Sequence, residues 1–265
     1  GSEMCIRDSS CSVKHKNTFD YIFNKTEAIT LEQSKLTLSK DITVLSFSDS
    51  SMVDRNSSII KVDSGWIVYS KNSESSILSF TSDGQFSGYI GHRGNGPGEY
   101  TSVYDVVVNQ KSKVLEVLSD GGIFCYTFGG DFLDKKEVTY PAFSFAIDDR
   151  QNYWFYVGNN TTYGDAKMIC TDENIANVAY YLHQKSNMLP MVENNFGRNG
   201  EWLTFHESLN HDLYTIENGK LDLSYAMDFP NYKLPKKLHE LSGMEVIEEL
   251  QRSNYASCLL YTSPS

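Results

Sequence analysis

The chain has 265 residues, of which 40% are apolar and 22% are charged, a balance typical of soluble globular proteins rather than disordered ones. Its net charge of −11 argues against a nucleic-acid partner, because phosphate recognition needs clustered Lys and Arg. No apolar run reaches the roughly 18 residues of a membrane-spanning helix, so the sequence predicts none. The 17 Tyr and 14 Phe favour half-buried strands.

Both ends of the chain differ from its middle. Residues 4–9 (MCIRDS) and 257–265 (SCLLYTSPS) resemble translated sequencing-adapter DNA. We therefore expect a non-native or tether segment at 1–17, a folded domain at 18–256 and a non-native tail at 257–265. The alternative is that both ends are ordinary floppy termini.

Cys11 is followed by a polar, Lys-bearing stretch, as in a mature bacterial lipoprotein, where an acylated Cys precedes a solvated tether. The apolar signal that should precede such a Cys is absent, and the adapter-like segment stands in its place. A lipid anchor and an ordinary exposed thiol both remain open for Cys11. Cys125 and Cys170 lie in strand-like segments and are expected to pack as small apolar groups.

The middle of the chain repeats a strand–turn–strand pattern. The turns carry Gly84, Gly130, Asn174 and Gly219, which are separated by 46, 44 and 45 residues. Gly and Asn tolerate the positive φ of a tight hairpin. A second hairpin precedes each of these, so the unit is four short strands in about 45 residues, the signature of a β-propeller blade.

The expected fold is therefore all-β: a partial β-propeller of about four four-stranded antiparallel blades over about 58–229. Residues 41–47 (DITVLSF) are predicted to be an N-terminal strand that completes the last blade of a closed ring. A short C-terminal helix is predicted within about 236–253, because Ser242 and Glu245 form a capping-box pattern before an apolar run.

The stretch GHRGNGPGEY is rich in glycine, which raises the possibility of a phosphate-binding loop. Such a loop needs a following helix with Lys and Ser or Thr at its start, whereas strand-forming residues follow here. We predict a structural junction between two blades, formed by Gly91, Gly94, Gly96, Pro97, Gly98, Glu99 and Tyr100.

The longer stretch FTSDGQFSGYIGHRGNGPGEY (80–100) resembles the NHL-type repeat and, more closely, the six-bladed β-propeller lipoproteins of Gram-negative bacteria. Those proteins carry a Phe-Asp-Gly hairpin that leads into an Ile-Gly…Gly-Pro-Gly-Glu-Tyr junction. The resemblance implies a six-bladed parent and an exported, often lipid-anchored protein of the cell envelope, either in the outer membrane or in the periplasm. It implies no activity. Later repeats depart from the pattern, since Asn174 replaces Gly and no second Gly-Pro-Gly occurs.

Two polar loops are the candidate ligand sites, because propellers bind ligands at loops near the axis. The candidate residues are Asn159, Asn160, Tyr163, Asp165, His206, Glu207 and His211. His206 and His211 are five residues apart in a loop with no evident third ligand, unlike HExxH, so no metal site is assigned. Residues 148–152 lack the alternating oxygen ligands of a calcium loop and favour a hairpin turn.

Two classes of function remain. The first is a non-catalytic binding or scaffold propeller for an unknown glycan, peptide or protein, without a cofactor and in contact with a membrane only through a possible anchor at Cys11. The second is a metal-dependent propeller hydrolase or lyase, which would need polar residues at the inner ends of several blades. The candidates for that role are Asp105, Asn194, Asn195 and His206. The first class is favoured.

Overall fold

The computed structural model describes residues 19–22, 42–47, 53, 57–71, 76–159, 164–183, 194–199, 202–207, 210–228, 238, 241 and 244–252. Cys11, Asn160, Tyr163 and both adapter-like ends lie outside this described part, together with the predictions made for them. Within it the chain forms nineteen strands and one helix, and sixteen of the strands make four four-stranded antiparallel blades. The predicted all-β propeller architecture with four blades is confirmed.

Each blade uses four consecutive strands, with the first strand innermost. The first blade contains β2 (Ser58–Val62), β3 (Gly65–Tyr69), β4 (Leu78–Thr81) and β5 (Phe86–Tyr89). The second contains β8 (Asp105–Asn109), β9 (Val114–Ser119), β10 (Gly122–Tyr126) and β11 (Phe132–Glu137). The third contains β12 (Ser144–Ile147), β13 (Tyr153–Tyr156), β14 (Met168–Thr171) and β15 (Ala179–Tyr181). The fourth contains β16 (Phe196–Asn199), β17 (Trp202–His206), β18 (Asp212–Glu217) and β19 (Lys220–Asp228).

The hydrophobic core consists of layers between neighbouring blades. In the third blade every residue of β12, β13 and β14 is buried, because successive side chains point to opposite faces and both faces are covered. Phe145 and Phe155 pack towards the second blade, whereas Ala146 and Trp154 pack towards the fourth. A sheet that is apolar on both faces needs two neighbours, which explains why the blades stack.

The turns between third and fourth strands correspond in the first three blades. Gly84 donates its N–H to the Thr81 carbonyl, and Gly130 donates to the Thr127 carbonyl in the same way. In the third blade the equivalent donor is Ile175, with a φ of 59°, and not Asn174. The assignment of a positive φ to Asn174 was therefore wrong by one residue.

Residues 42–47 lie beside the first blade in the position of an outer strand. The Ser46 N–H donates to the Gly84 carbonyl at 2.8 Å, just as the Gly91 N–H, 45 residues later, donates to the Gly130 carbonyl at 3.4 Å. Residues 42–47 thus contact the first blade in the same way as the end of the first blade's outer strand contacts the second blade. Residues 42–47 form an isolated parallel bridge from Ser46 to Gln85 and not a full strand, so completion of the last blade of a closed ring stays a prediction.

A different strand extends the fourth blade. β1 (Phe19–Ile22) pairs in parallel with β19 at the outer edge, which makes a five-stranded sheet. The spacing of the turns does not predict this strand.

The glycine-rich stretch connects the first and second blades. It contains β6 (His92–Arg93) and β7 (Glu99–Tyr100), which pair in parallel. The Glu99 carboxylate accepts a hydrogen bond from the Gly96 N–H at 2.8 Å, and the Tyr100 ring is buried. Residues 101–159, which the structure describes without a gap, contain no helix, so the stretch lacks the context of a phosphate loop.

The helix α1 (Met244–Arg252) falls within the predicted segment, and its Val246 packs with Leu238 in a small separate cluster. In the described part of the chain, no helix is both long enough and apolar enough to cross a membrane.

Candidate functional site

In every blade the loop between the second and third strands lies at the same end of the molecule. Successive antiparallel strands reverse direction, so the start of each inner strand lies beside the loop between the second and third strands. The connections between blades reach this end as well. We call it the loop face, and we call the opposite end, which carries the turns between first and second strands, the turn face. The described candidates from the sequence all lie at the loop face: Asn159, Asp165, His206, Glu207 and His211.

Asp105 begins the inner strand β8 and contacts three blades. Its Oδ1 lies 2.9 Å from Nζ of Lys71 in the first blade, and its Oδ2 accepts a hydrogen bond from the Phe145 N–H of the third blade at 3.0 Å. Both charged side chains are nearly buried, with exposures of 10% for Lys71 and 8% for Asp105. Burial raises the pKa of Asp105, and the charge of Lys71 opposes that rise. The ion pair therefore joins blades.

The equivalent positions in the third and fourth blades are also joined. Ser144, which begins β12, donates a hydrogen bond from Oγ to Asn195 Oδ1 at 2.9 Å. The Asn195 amide in turn donates to the His206 carbonyl at 3.2 Å. Asp105 and Asn195, both considered as inner-end ligands for a metal enzyme, thus contribute to contacts between blades.

Glu207, a predicted ligand-binding residue, is buried in the contact between the third and fourth blades. Its carboxylate accepts hydrogen bonds from the Tyr156 hydroxyl at 2.8 Å and from Lys167 Nζ at 2.9 Å. The neighbouring His206 is buried too, and burial lowers the pKa of its imidazole. Both side chains are therefore enclosed by the protein and are not open to a ligand.

The other predicted residues are spread over the loops of the third and fourth blades. Asp165 is exposed and pairs with His183 Nδ1 at 3.0 Å. Asn159 and His211 are half-buried. The pKa of Asp212 is raised, and burial is the main cause. The Tyr214 hydroxyl and His211 oppose this rise, whereas the charge of Glu207 adds to it. Glu207 and His211 thus both interact electrostatically with Asp212.

A cavity of about 430 Å³ lies on the axis and is lined by the inner strands of all four blades. Its lining includes Lys71, Asp105, Asn194, Asn195 and Arg198. Lys71 and Asp105 neutralise each other, and the Arg198 guanidinium donates to the Ile147 carbonyl. These charged groups are already engaged with the protein.

A second concavity of about 560 Å³ opens at the loop face between the second and third blades. We call it the blade 2–3 groove. It is lined by Tyr104, Leu118, Ser119, Asp120, Gly121, Val138, Thr139, Tyr140, Pro141, Ala142 and Phe143. Two of its aromatic rings are accessible, because Tyr104 is 40% exposed and Phe143 is 41% exposed.

Tyr104 and Phe143 occupy equivalent positions in their blades. Each directly precedes the first residue of an inner strand. Each donates its N–H to the carbonyl of the neighbouring second strand, Tyr104 to Leu118 and Phe143 to Tyr156, both at 2.9 Å. The repeat thus places one exposed ring on either side of the groove.

Asp120 supplies a fixed carboxylate beside these rings. Its Oδ1 accepts from the Tyr104 hydroxyl at 2.6 Å, and its Oδ2 accepts from the hydroxyls of Thr101 at 2.6 Å and Ser102 at 3.3 Å. The Thr101 and Tyr104 hydroxyls lower the pKa of Asp120, because they stabilise the ionised form. Asp120 is the single charged side chain among the described residues that line the groove.

Tyr104, Asp120 and Phe143 are not among the candidates predicted from the sequence. A signal was present, since an aromatic residue stands immediately before the inner strand in YDVVV and FSFAI. The two aromatics are 39 residues apart rather than about 45, so the regular spacing of the hairpin turns did not align them.

Metal binding was considered for the loop that contains His206 and His211. Within the described ranges, no group of three or more His, Cys, Asp or Glu side chains is placed so that it could hold a metal ion.

The family described as "Domain of unknown function (DUF4934)" matches residues 14–261 of the chain. No curated protein matches the chain. A crystal structure of a predicted exported protein from Bacteroides fragilis NCTC 9343 is similar, with a TM-score of 0.73 and 15% identity over 90% of this chain and 69% of that one. A DUF4221 family member from Bacteroides vulgatus ATCC 8482 has a TM-score of 0.45 and 12% identity over 69% of this chain and 62% of its own. At 15% identity the likeness to the Bacteroides fragilis protein concerns the fold alone.

Proposed function

Because the chain belongs to the DUF4934 family, whose description names no activity, we propose a function from its own site. The protein is a non-catalytic binding propeller outside the cytoplasm, and it takes its ligand in the blade 2–3 groove. An exported location is supported by the description of the Bacteroides fragilis protein with a similar fold and by the resemblance of residues 80–100 to exported propellers. A six-bladed ring and a lipid anchor at Cys11 belong to the same proposal.

One observation carries the proposal. The charged loop-face residues that could serve catalysis, such as Asp105 and Glu207, are buried and bound to partners in neighbouring blades. The blade 2–3 groove instead combines two exposed rings with an ionised carboxylate at its surface. A concave, largely apolar site with a few fixed polar groups is the usual form of a binding pocket.

A ligand panel tests this function. Neutral oligosaccharides, basic peptides and acidic peptides are titrated against the wild type and against the double variant Tyr104→Ala/Phe143→Ala by isothermal calorimetry. We expect the double variant to lose at least about tenfold in affinity for whichever member binds, since aromatic rings at the centre of an interface carry much of the binding energy.

Trp202→Ala is the matched control, because Trp202 is 68% exposed at the turn face. It should bind as the wild type does. The groove would be excluded as the ligand site if Trp202→Ala lost as much affinity as the double variant. It would also be excluded if Asp165→Ala lost affinity and the double variant did not.

A further inference from the structure

We propose that the blade 2–3 groove recognises the Lys or Arg side chain of a basic peptide, with the cationic group against Asp120 and the aliphatic chain between Tyr104 and Phe143. This inference rests on the proposed function in one respect, namely that the groove is the ligand site. It adds the chemical class of the ligand.

The charge of the groove favours a cation. Asp120 carries the single charge among the described residues that line it, and that charge is negative. Lys135, which lies close to Gly121 at the edge of the groove, is already paired with Glu137 at 3.2 Å. The whole chain carries −11, so long-range attraction also favours a cationic partner.

The hydrogen bonds of Asp120 leave room for a further donor. A carboxylate offers about four acceptor sites. Three are filled by the hydroxyls of Tyr104, Thr101 and Ser102, which also fix the direction of the remaining one. A single N–H from an ammonium or guanidinium group would complete the set with a charge-assisted hydrogen bond.

The aromatic rings suit the rest of the same side chain. Tyr104 and Phe143 each expose about two-fifths of their surface beside Asp120. Aromatic faces attract cations, and the methylene stems of Lys and Arg pack on apolar surface while the charged head stays at a polar group. Val138 and Ala142 are buried and provide an apolar floor to the groove. A volume of about 560 Å³ exceeds one side chain and accommodates flanking peptide residues.

A fluorescent trilysine peptide with blocked termini tests the proposal by anisotropy at about 150 mM salt, where charges more than about 8 Å apart are screened. Triglutamine of the same design is the neutral probe. Asp120→Asn keeps the shape of the side chain and removes its charge. We expect it to weaken trilysine binding about tenfold, as the loss of a hydrogen bond between charged groups predicts. Triglutamine should not bind measurably.

Asp131→Asn is the matched control, since it removes an equal charge from an exposed residue at the other end of β10, on the order of 15 Å away by strand length. It should change the affinity less than about twofold, as expected for a screened surface charge. Equal weakening by Asp131→Asn and Asp120→Asn would overturn the proposal in favour of diffuse attraction. Wild type that fails to bind trilysine would also overturn it.

A neutral ligand and a test of folding distinguish a wrong ligand class from a wrong site or an unfolded variant. If a neutral oligosaccharide binds and requires Tyr104 and Phe143 while trilysine does not bind, the cationic ligand is wrong and the groove remains the ligand site. Because the chain has five cysteines, each variant is first checked by comparing its number of reactive thiols with that of the wild type. Cys125 and Cys170 are buried and burial raises the pKa of each thiol to about 12, so both stay unreactive near neutral pH while the fold is intact.

Discussion

Asp105 and Asp120 are aspartates at the same face of the molecule, but their surroundings give them different roles. Burial raises the pKa of Asp105, which is held by Lys71 and by backbone donors from two blades. Side-chain hydroxyls lower the pKa of Asp120, which remains at the surface beside two exposed rings. The sequence alone does not separate these roles, because they depend on the burial and the donors that neighbouring blades provide.

Replacing Asp105 by Ala should destabilise the fold by about 3–5 kcal/mol, since removing one member of a buried ion pair leaves the other charge without compensation. The backbone N–H groups of Val106 and Phe145 lose their acceptor in the same variant. Urea denaturation followed by circular dichroism measures the loss.

Asp63→Ala is the matched comparison for this pair. Asp63 also binds a lysine of another blade, Lys113, at 3.0 Å, but the two side chains are 81% and 55% exposed. Exposed pairs contribute about 0–1 kcal/mol, so this variant should unfold at nearly the wild-type urea concentration. Equal effects of Asp63→Ala and Asp105→Ala on stability would contradict the conclusion that Asp105 joins neighbouring blades.

At the scale of the elements, the spacing of the turns was sufficient to predict four blades. It worked because every blade repeats the same order of four strands, and the first three blades repeat the same turn between third and fourth strands. The spacing of the turns does not predict the residues between blades, because the connections differ in length. Fifteen residues separate β5 from β8, whereas six separate β11 from β12. Tyr104 and Phe143 stand at the ends of these unequal connections, which is why a repeat length of about 45 residues did not pair them.

Gly84 is the position at which segment 42–47 is attached to the first blade. Its φ is 88°, and a Cβ there would overlap the Val44 carbonyl oxygen. Gly84→Ala should therefore cost about 3 kcal/mol or more, since the strain of a positive φ adds to a backbone clash. The variant should also make residues 42–47 more sensitive to limited proteolysis.

Gly164→Ala separates the two contributions. Gly164 has a φ of 72°, but a Cβ there would meet no atom within 4 Å. We expect a loss of about 1–2 kcal/mol from the backbone conformation alone, and unchanged cleavage at 42–47. If both variants lose the same stability, the contact between Gly84 and Val44 does not anchor the segment.

At the scale of the whole molecule, the polar residues of the loop face form two sets. One set joins neighbouring blades through buried pairs such as Lys71–Asp105 and Lys167–Glu207. The other set, at the blade 2–3 groove, keeps an ionised carboxylate and aromatic surface accessible. The loop-face candidates taken from the sequence include His206 and Glu207, which are buried, and Asp165, which is exposed. Polar composition marks a loop, whereas accessibility depends on how the blades pack.

Hydrogen–deuterium exchange of the wild type, with and without trilysine, tests the central claim that the blade 2–3 groove is the binding site. The account predicts slower exchange on peptide addition in residues 101–104, 118–121 and 138–143, because these segments supply Asp120, its hydrogen-bond donors and the groove lining. Exchange in residues 206–211 should be unchanged. Protection at 206–211 without protection at the groove would contradict the account.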